Sequence, residues 1–428
     1  MRFRAAFPVF PRPAAGSRRT NFLTNSAFAA IIHIFPICDM QPDKQSMERL
    51  CAAAGDLYAR RFNQLGYPFD QESGLSEFYE WLAGTGLGGV TLINVGDPYK
   101  TDWDMLNTDE FERECVDFLA GAYGFGDDHW GVISNGGTDG NMHGIYFGRK
   151  ALAEVSDIPP VLYVSEEAHY SLKKIGDIQN IETRAIRAKE MGEIDVSDFA
   201  DKLDPSRPAI VAIAIGGTFK GAIDDQKAIA EVLRAAKPVA VYRHLDVALF
   251  GGYLPFLDDP AAREIVDASK TGFDSLAVSG HKFFSLNEPA GVFICRRKVL
   301  ESVRGSPVPY LNGTVPTISC SRSGLDALKL FWRIKSLGAE GLRRQAGRAL
   351  EMADLLLSEL SKAGIRAYKN PYSNTVFFDR PSARAVKKYA LACGEYAGFG
   401  KLAHIVTMQY FTPELIRSIV SDIAEDRP

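Results

Sequence analysis

The sequence predicts an α/β protein whose central, mostly parallel sheet is buried on both faces. Short, continuous apolar segments alternate along the chain with segments of helical periodicity. Strands covered by helices on both sides need such segments, because neither of their faces meets water. The composition agrees, since 46% of the 428 residues are hydrophobic and 24% are charged, which is typical of a chain with a large folded core.

The predicted elements follow in order from these periodicities. Three helices are predicted in the α/β region, at 109–123, 140–153 and 225–236. Predicted strands lie at 161–165, 209–215, 238–242, 275–279 and 291–295. Farther along we predict amphipathic helices at 324–337 and 339–363, a strand at 374–378, and a last helix that Thr412 caps and Pro413 opens. The predicted organisation is an extension at 1–39, an N-terminal arm at 40–109, a large α/β domain at 110–304 and a small α+β domain at 305–428.

The first 38 residues have a composition of their own, with five arginines and no acidic residue. One interpretation is that translation begins at Met40 and that the extension belongs to a mis-assigned start. The alternatives are a transit peptide or an export signal, because Ser17-Arg18-Arg19 followed by Phe22-Leu23 is similar to a twin-arginine motif. We leave this segment outside the fold prediction.

Composition and charge also exclude several classes of protein. The net charge is -4, from 49 basic and 53 acidic residues without a basic stripe, so we expect no nucleic-acid partner. No apolar run approaches the roughly 18 to 20 residues that span a bilayer, so no membrane helix is expected. The cysteines lack disulfide or zinc spacing, which favours free thiols, a cytoplasmic location and no metal site. They are Cys38, Cys51, Cys115, Cys295, Cys320 and Cys393.

Five segments carry residues suited to chemistry, and the first is Ser279-Gly280-His281-Lys282, directly after the predicted strand 275–279. A lysine at the end of a buried strand is poorly solvated, which lowers its pKa and makes its amine a nucleophile. The structural alternative is a surface lysine at the start of a loop.

The second segment is HLDVALFGG, in which Asp246 follows the predicted strand 238–242. Ligands of parallel α/β sheets bind at the carboxyl edge, where this aspartate is expected. Its carboxylate could keep a cofactor's ring nitrogen protonated. Alternatively, it is a structural aspartate such as a helix cap.

The other three segments are weaker signals when each is taken alone. SNGGTDGNMHG (134–144) combines a glycine-rich turn with Thr138 at the start of a helix, which suits a phosphate, although it matches neither the Walker nor the dinucleotide motif. His169 could stack on an aromatic cofactor or transfer protons, or be a structural histidine. Thr218 ends another strand, after Gly216 and Gly217, which permit close backbone approach. All five segments are predicted at the carboxyl ends of strands, and this shared placement favours one binding site.

These motifs together resemble the group II amino-acid decarboxylases that depend on pyridoxal 5'-phosphate (PLP), most closely the branch of bacterial histidine decarboxylases and plant serine decarboxylases. The resemblance extends from about Gly66 to the C-terminus. The matching motifs are GYP (66–68), NVGD (94–97), LNTDEFERE (106–114), NGGTDGN, AHYS, GAIDD, SGHKF, SRSG (321–324), SNTV and AHIVTM (403–408).

The resemblance implies the fold type I of PLP-dependent transferases, with a seven-stranded sheet, and a homodimer or larger homo-oligomer with active sites at the subunit interface. It implies that PLP binds covalently to Lys282, that Asp246 pairs with the pyridine nitrogen and that His169 stacks over the ring. It places Tyr310 in a mobile loop as a proton donor. The remaining implied contacts are Gly137, Thr138, Ser279 and His281 at the phosphate, Asn141 near it, Thr218, and Ala248 on the other face of the ring.

Departures from the family pattern leave the substrate open. Ser285-Leu286-Asn287 stands where the family has about Gly-Ser-Pro, Val247 and Phe250 replace small residues, and Cys320 and Gly217 also differ. The expected reaction is decarboxylation of histidine to histamine. Alternative substrates are serine and an aliphatic or thioether amino acid such as valine or methionine. An alternative reaction is the formation of an aldehyde, which Tyr310 disfavours. A silent binding protein is a further alternative, which Lys282 disfavours.

Overall fold

The computed structural model of the protein describes residues 42–100, 105–303, 305–309 and 313–425. The predicted extension at 1–39 lies outside them. The chain divides into two compact units, Met1–Ala59 and Arg60–Pro428. In the first unit the structure describes one helix, α1 (Lys44–Ala59), which buries none of its residues. The other elements belong to the second unit.

Helices of the second unit are α2 (Ser76–Thr85), α3 (Asp109–Ala122), α4 (Gly137–Ala153), α5 (Ser171–Ile178), α6 (Val196–Lys202), α7 (Gln226–Ala236), α8 (Pro260–Glu264), α9 (Ala268–Thr271), α10 (Arg297–Glu301), α11 (Gly324–Lys362), α12 (Ala383–Lys388) and α13 (Pro413–Glu425). No helix within the described residues is long and apolar enough to cross a membrane.

The strands are β1 (Ile93–Val95), β2 (Trp130–Ser134), β3 (Val161–Ser165), β4 (Glu182–Ile186), β5 (Ala209–Ala214), β6 (Val241–Asp246), β7 (Ser275–Ser279), β8 (Gly291–Cys295), β9 (Ser306–Val308), β10 (Gly313–Val315), β11 (Ser321–Ser323), β12 (Ala367–Lys369), β13 (Thr375–Asp379), β14 (Ala392–Tyr396) and β15 (Gly400–Val406).

A seven-stranded sheet with the order β2-β8-β7-β6-β5-β3-β4 forms the centre of the second unit. The contiguous strands β7, β6, β5, β3 and β4 pair in parallel. β8 pairs antiparallel with β7 on one side and with β2 on the other, so β8 runs against the other six strands. The prediction of a mostly parallel sheet is therefore confirmed, although the segment 291–295 runs in the opposite direction from the rest.

Both faces of this sheet are buried, as the apolar strands predict. Successive residues of β3 alternate between two hydrophobic clusters, with Tyr163 in one and Leu162 and Val164 in the other. β5 behaves in the same way, with all of its residues buried. The two clusters are the cores on the two sides of the sheet, since adjacent side chains of a strand point to opposite faces. The strands that lead to the carboxyl edge of the sheet are therefore packed on both faces.

C-terminal to this sheet, a smaller antiparallel sheet has the order β12-β13-β15-β14. The two helices predicted at 324–337 and 339–363 are confirmed, because the backbone of α11 is not helical at Gly338, with φ 59° and ψ 179°, so α11 consists of two helices joined by a kink there. Thr412 caps α13 as predicted, because its hydroxyl accepts a hydrogen bond from the Leu415 N–H at 3.2 Å. The domain boundary at 304/305 stays a prediction.

Strand β6 is the element whose position the sequence misplaces. The prediction was 238–242, whereas the strand spans Val241–Asp246. Lys237 ends α7 in a left-handed conformation with φ 52°, and Pro238, which follows, has no N–H for a sheet hydrogen bond. The strand consequently begins later and Asp246 is its last residue, which places the carboxylate at the edge of the sheet.

Candidate active site

The predicted site segments meet at one edge of the large sheet. Ser134, Ser165, Ala214, Asp246 and Ser279 are the last residues of β2, β3, β5, β6 and β7. These strands run in the same direction, so their carboxyl ends share an edge, which is the usual place for a ligand in such folds. Each of the five predicted segments includes or directly follows one of these residues.

A glycine turn between β2 and α4 forms a cradle at this edge. Gly136 has φ 110°, in a region that favours glycine. A Cβ atom at Gly137, the first residue of α4, would lie 2.4 Å from the Ser279 hydroxyl and 3.7 Å from the Ala248 Cβ. The first N–H groups of α4 have no partner within the helix and carry its positive dipole end. A phosphate group fits this chemistry, and a side chain at 137 would fill the space.

Two further predicted phosphate ligands lie at the same turn. A Cβ at Gly136 would lie 3.8 Å from Cε1 of His281, which places that ring beside the cradle. The Nδ1 atom of His281 contacts the Ala290 carbonyl at 2.9 Å, and burial lowers the pKa of the ring. Thr138 is exposed in the first turn of α4. The structure therefore brings Gly137, Thr138, Ser279 and His281 to one turn.

Lys282 lies half-buried immediately after the cradle residues, near enough to Asp246 for the charge of that carboxylate to act on it. Burial lowers the pKa of the Lys282 ammonium, and the negative charge of Asp246 partly opposes this shift. A lowered pKa increases the fraction of the free amine, which is the nucleophilic form. The amine can therefore react with a carbonyl group held at this edge.

Asp246 is only 7% exposed, and its carboxylate accepts two hydrogen bonds. Its Oδ2 atom accepts a bond from Nδ2 of Asn141 at 3.0 Å, and its Oδ1 atom accepts a bond from the Ala248 N–H at 3.2 Å. The resemblance places Asn141 near the phosphate, whereas here both polar atoms of its amide are engaged with Asp246 and His244. Asn141 lies one helical turn beyond the cradle in α4 and donates a hydrogen bond to the Asp246 carboxylate.

His169 is close enough to Asp246 and Lys282 for their charges to act on it. Burial lowers the pKa of His169. The charge of Asp246 raises this pKa, and the charges of Lys282 and Lys174 lower it. Its Nδ1 atom lies 2.7 Å from the hydroxyl of Ser171, which restrains the ring. His169, Asp246 and Lys282 therefore form one electrostatic group.

Two predicted site residues remain, Thr218 and Tyr310. Thr218 is exposed in the turn after β5. This turn lies next to the loop that follows β3, since a Cβ at the neighbouring Gly217 would lie 3.6 Å from the carbonyl oxygen of Glu167. Tyr310 lies outside the described residues.

An ion pair that the sequence analysis missed connects the loops carrying His169 and Thr218. Nζ of Lys220 lies 3.0 Å from Glu167, and the lysine side chain is 4% exposed. The ammonium also lies 4.2 Å from the ring centroid of Tyr396, a residue of β14. Only the adjacency of β3 and β5 brings these residues together, so no spacing along the chain signals the pair.

Three of the matching motifs form a buried network that supports β2. Arg322 of SRSG donates to both carboxylate oxygens of Glu112 at 2.9 and 3.1 Å, and the two side chains are 1% and 0% exposed. Asn94 of NVGD donates to the same carboxylate at 2.6 Å. Glu112 also accepts the Ile133 N–H at 2.7 Å, three residues before the glycine turn. These motif residues hold the strand that leads into the cradle.

The departures from the family pattern have different structural roles. Val247 and Phe250 are 0% and 1% exposed and belong to the hydrophobic core, so their greater size is accommodated there. Ser285 has φ 61°, which is unusual for a residue other than glycine, and its hydroxyl donates to Asp70 at 2.7 Å. Ser285 thereby ties the loop after Lys282 to the segment that follows GYP.

Comparison with known proteins identifies a family model that covers more than half of the chain. Residues 132–368 match the pyridoxal-dependent decarboxylase conserved domain. The histidine decarboxylase of Morganella morganii is 31% identical over 372 residues, which cover 86% of this chain and 93% of that protein. The histidine decarboxylase of Solanum lycopersicum is 34% identical over 87% of this chain and 86% of its own length. Serine decarboxylase 3 of Oryza sativa subsp. japonica is 31% identical over 86% of this chain and 79% of its own length.

Solved structures agree with the fold. The L-methionine decarboxylase of Streptomyces sp. 590 superposes with a TM-score of 0.77 at 21% identity, over 90% of this chain and 96% of that one. The glutamate decarboxylase of Lactobacillus brevis CGMCC 1306 gives a TM-score of 0.73 at 18% identity, over 92% and 94%.

Proposed function

Since the chain belongs to the pyridoxal-dependent decarboxylase family, a group of carboxy-lyases that use pyridoxal phosphate, we propose that its substrate is histidine and its product histamine. The grouping of Lys282, Asp246 and His169 at one sheet edge supports the assignment of the site. Relatives named histidine decarboxylase, similar over most of the chain, support the substrate. A serine decarboxylase of equal similarity makes serine the second candidate.

The residues at the edge fit the parts of this cofactor. The α4 N-terminus with Gly137, Thr138, Ser279 and His281 would hold the phosphate. When bound, pyridoxal phosphate supplies an aldehyde that reacts with amines and a ring that accepts the electrons left when carbon dioxide departs. The Lys282 amine would hold the aldehyde carbon until the amine of the substrate replaces it.

Asp246 and His169 would control charge around the ring. The Asp246 carboxylate would keep the ring nitrogen protonated, because a negative charge in a buried site favours the protonated form of its neighbour. His169 would pack its flat ring on one face of the cofactor ring, and Ala248 would contact the other face. Lys282, freed of the cofactor, can move a proton to or from the departing amine.

The assembly and the location of the enzyme are further parts of the proposal. We expect a homodimer whose subunits both contribute to each active site, as the resemblance implies. We also expect the enzyme to act in the cytoplasm, where unpaired thiols are stable. The described cysteines Cys51, Cys115, Cys295, Cys320 and Cys393 are all free, in support of this location.

Incubation with each proteinogenic amino acid, scoring amine and carbon dioxide, tests the substrate. We expect histidine to give the highest kcat/KM, and histamine and carbon dioxide in equal amounts. A preference of tenfold or more for serine or methionine would refute histidine and leave the decarboxylase assignment in place. The absence of carbon dioxide release from every amino acid would contradict the site itself.

The Tyr310→Phe variant separates the loss of carbon dioxide from the delivery of a proton. Lys282 and Asp246 are untouched, so carbon dioxide release should continue. The phenol, with an unperturbed pKa of about 10, would no longer donate a proton to the α-carbon. We expect the ratio of amine to carbon dioxide to fall at least about threefold and an aldehyde to form with uptake of oxygen.

Product analysis at matched carbon dioxide release measures this ratio. The half-buried Tyr146 of α4 provides a matched control, and Tyr146→Phe should give equal amounts of amine and carbon dioxide. An unchanged ratio in Tyr310→Phe would show that Tyr310 is not the donor.

A further inference from the structure

A row of buried hydrogen bonds runs from Asp246 away from the sheet edge into the protein. Asn141 contacts Asp246 at 3.0 Å and the Nε2 atom of His244 at 3.0 Å. The Nδ1 atom of His244 lies 2.7 Å from the Ser275 hydroxyl, which accepts a bond from the Tyr242 hydroxyl at 2.7 Å. None of the five side chains is more than 7% exposed, so water does not compete for these bonds.

The chemistry of the groups fixes the direction of every bond in this row. A carboxylate only accepts, so Asn141 turns its NH2 group to Asp246 and its carbonyl oxygen to His244. That oxygen also only accepts, so the proton of His244 must be on Nε2. Nδ1 then accepts from Ser275. Burial lowers the pKa of His244 to about 4, against an opposing effect of Asp246, which agrees with a neutral ring.

Two glycines of α4 let the helix backbone lie directly against the rings of His244 and Tyr242. A Cβ atom at Gly144 would lie 2.2 Å from Cε1 of His244, and a Cβ at Gly148 would lie 2.5 Å from the Tyr242 ring. The helix therefore lies directly on β6, and the two rings occupy the space that side chains on α4 would need.

We propose that His244 is a positioning residue for Asp246, acting through Asn141. Its Nε2–H holds the Asn141 amide in the one orientation that presents a donor to the carboxylate. Because the ring is neutral, the row gives Asp246 a hydrogen bond without a compensating positive charge, and the carboxylate keeps its full charge for the ring nitrogen of the cofactor. This inference rests on the proposed role of Asp246 and goes beyond it in assigning a role to His244.

Cofactor binding by the apoenzyme tests the proposal without a measurement of turnover. The dissociation constant for pyridoxal phosphate should rise at least about tenfold in His244→Leu, which leaves the Asn141 oxygen without a donor. It should stay within about threefold of wild type in His244→Gln, because a glutamine amide can donate to Asn141. Tyr163→Phe, which removes from β3 of the same sheet a hydroxyl that accepts the half-buried Asp204 N–H, should leave the constant unchanged.

The same titrations in an Asp246→Asn background separate this inference from the proposed function. If His244 acts through Asp246, His244→Leu should add less than about twofold once Asp246 is asparagine. Equal losses in both backgrounds would overturn the positioning role. An unaltered dissociation constant in Asp246→Asn itself would instead contradict the role of Asp246.

Nitrogen NMR of histidine-labelled apoenzyme gives a second readout, made on the wild-type protein and requiring only the conservative His244→Gln variant for assignment. We expect one histidine to remain neutral with its proton on Nε2 from pH 8 to about pH 5, and the His244→Gln spectrum identifies its signals. A proton on Nδ1, or a charged ring at pH 7, would overturn the proposal.

Discussion

Replacement of Lys282 by alanine is expected to abolish amine formation from the substrate. The change removes the only amine that the proposal gives for covalent attachment of the cofactor, and alanine cannot replace it in proton transfer. We expect a loss of kcat of at least about a thousandfold, equivalent to about 4 kcal/mol of transition-state stabilisation. Amine release under saturating cofactor measures the effect, and the visible absorbance of the covalently bound cofactor should be lost with it.

The fold should survive the Lys282→Ala change, because the described structure gives this amine no part in the hydrophobic core. Circular dichroism and the thermal unfolding midpoint test this. Lys227, whose side chain is 79% exposed, is the matched control, and Lys227→Ala should retain wild-type activity. Turnover of Lys282→Ala within tenfold of wild type would refute the assignment of the site.

Asp246→Asn is expected to retain the cofactor at saturating concentration but to lose most of the rate. The amide is close in shape to the carboxylate, and its oxygen can still accept the bond from Asn141, so the local structure should persist. The amide has no negative charge, and the ring nitrogen would lose its proton and withdraw electrons less strongly. We expect kcat to fall at least about a hundredfold, or about 2.7 kcal/mol.

Steady-state kinetics with cofactor in excess measure this loss. The exposed Asp258, which pairs with Arg343 on the surface, provides the control, and Asp258→Asn should be neutral. Asp246→Asn activity equal to wild type would mean that another acid holds the nitrogen.

Much of the fold could be predicted because β3, β5 and β7 are continuous apolar segments. β6 was misplaced since Arg243 and His244 interrupt its apolar pattern, although both belong to the strand. β4 is polar because it is an edge strand with an exposed or half-buried face, so its sequence lacks the signal of a buried strand. Local pattern therefore locates apolar strands near the sheet centre, whereas the polar edge strand β4 and the apolar edge strand β2 are found only in the structure.

The candidate site was accessible from the sequence for a related reason. Residues such as Lys282 and His169 directly follow apolar strands, and the ends of parallel strands meet. No local sequence pattern shows which strands are neighbours in the sheet, so the Glu167–Lys220 pair could not be predicted. The resemblance placed Asn141 near the phosphate, whereas its amide, one turn of helix beyond Gly137, donates to Asp246.

The glycines of α4 that lie against His244 and Tyr242 have a consequence for the order of folding. Gly140, Gly144 and Gly148 recur at every fourth residue, on the face of α4 that contacts β6 and β7. Each glycine in a helix interior costs about 1 kcal/mol relative to alanine, so this peptide would be a poor helix in isolation. Helix α4 must therefore gain its stability from strands that come more than 85 residues later in the chain. During synthesis the cofactor cradle would form only after β6 and β7 have emerged, and a newly made chain would bind cofactor late.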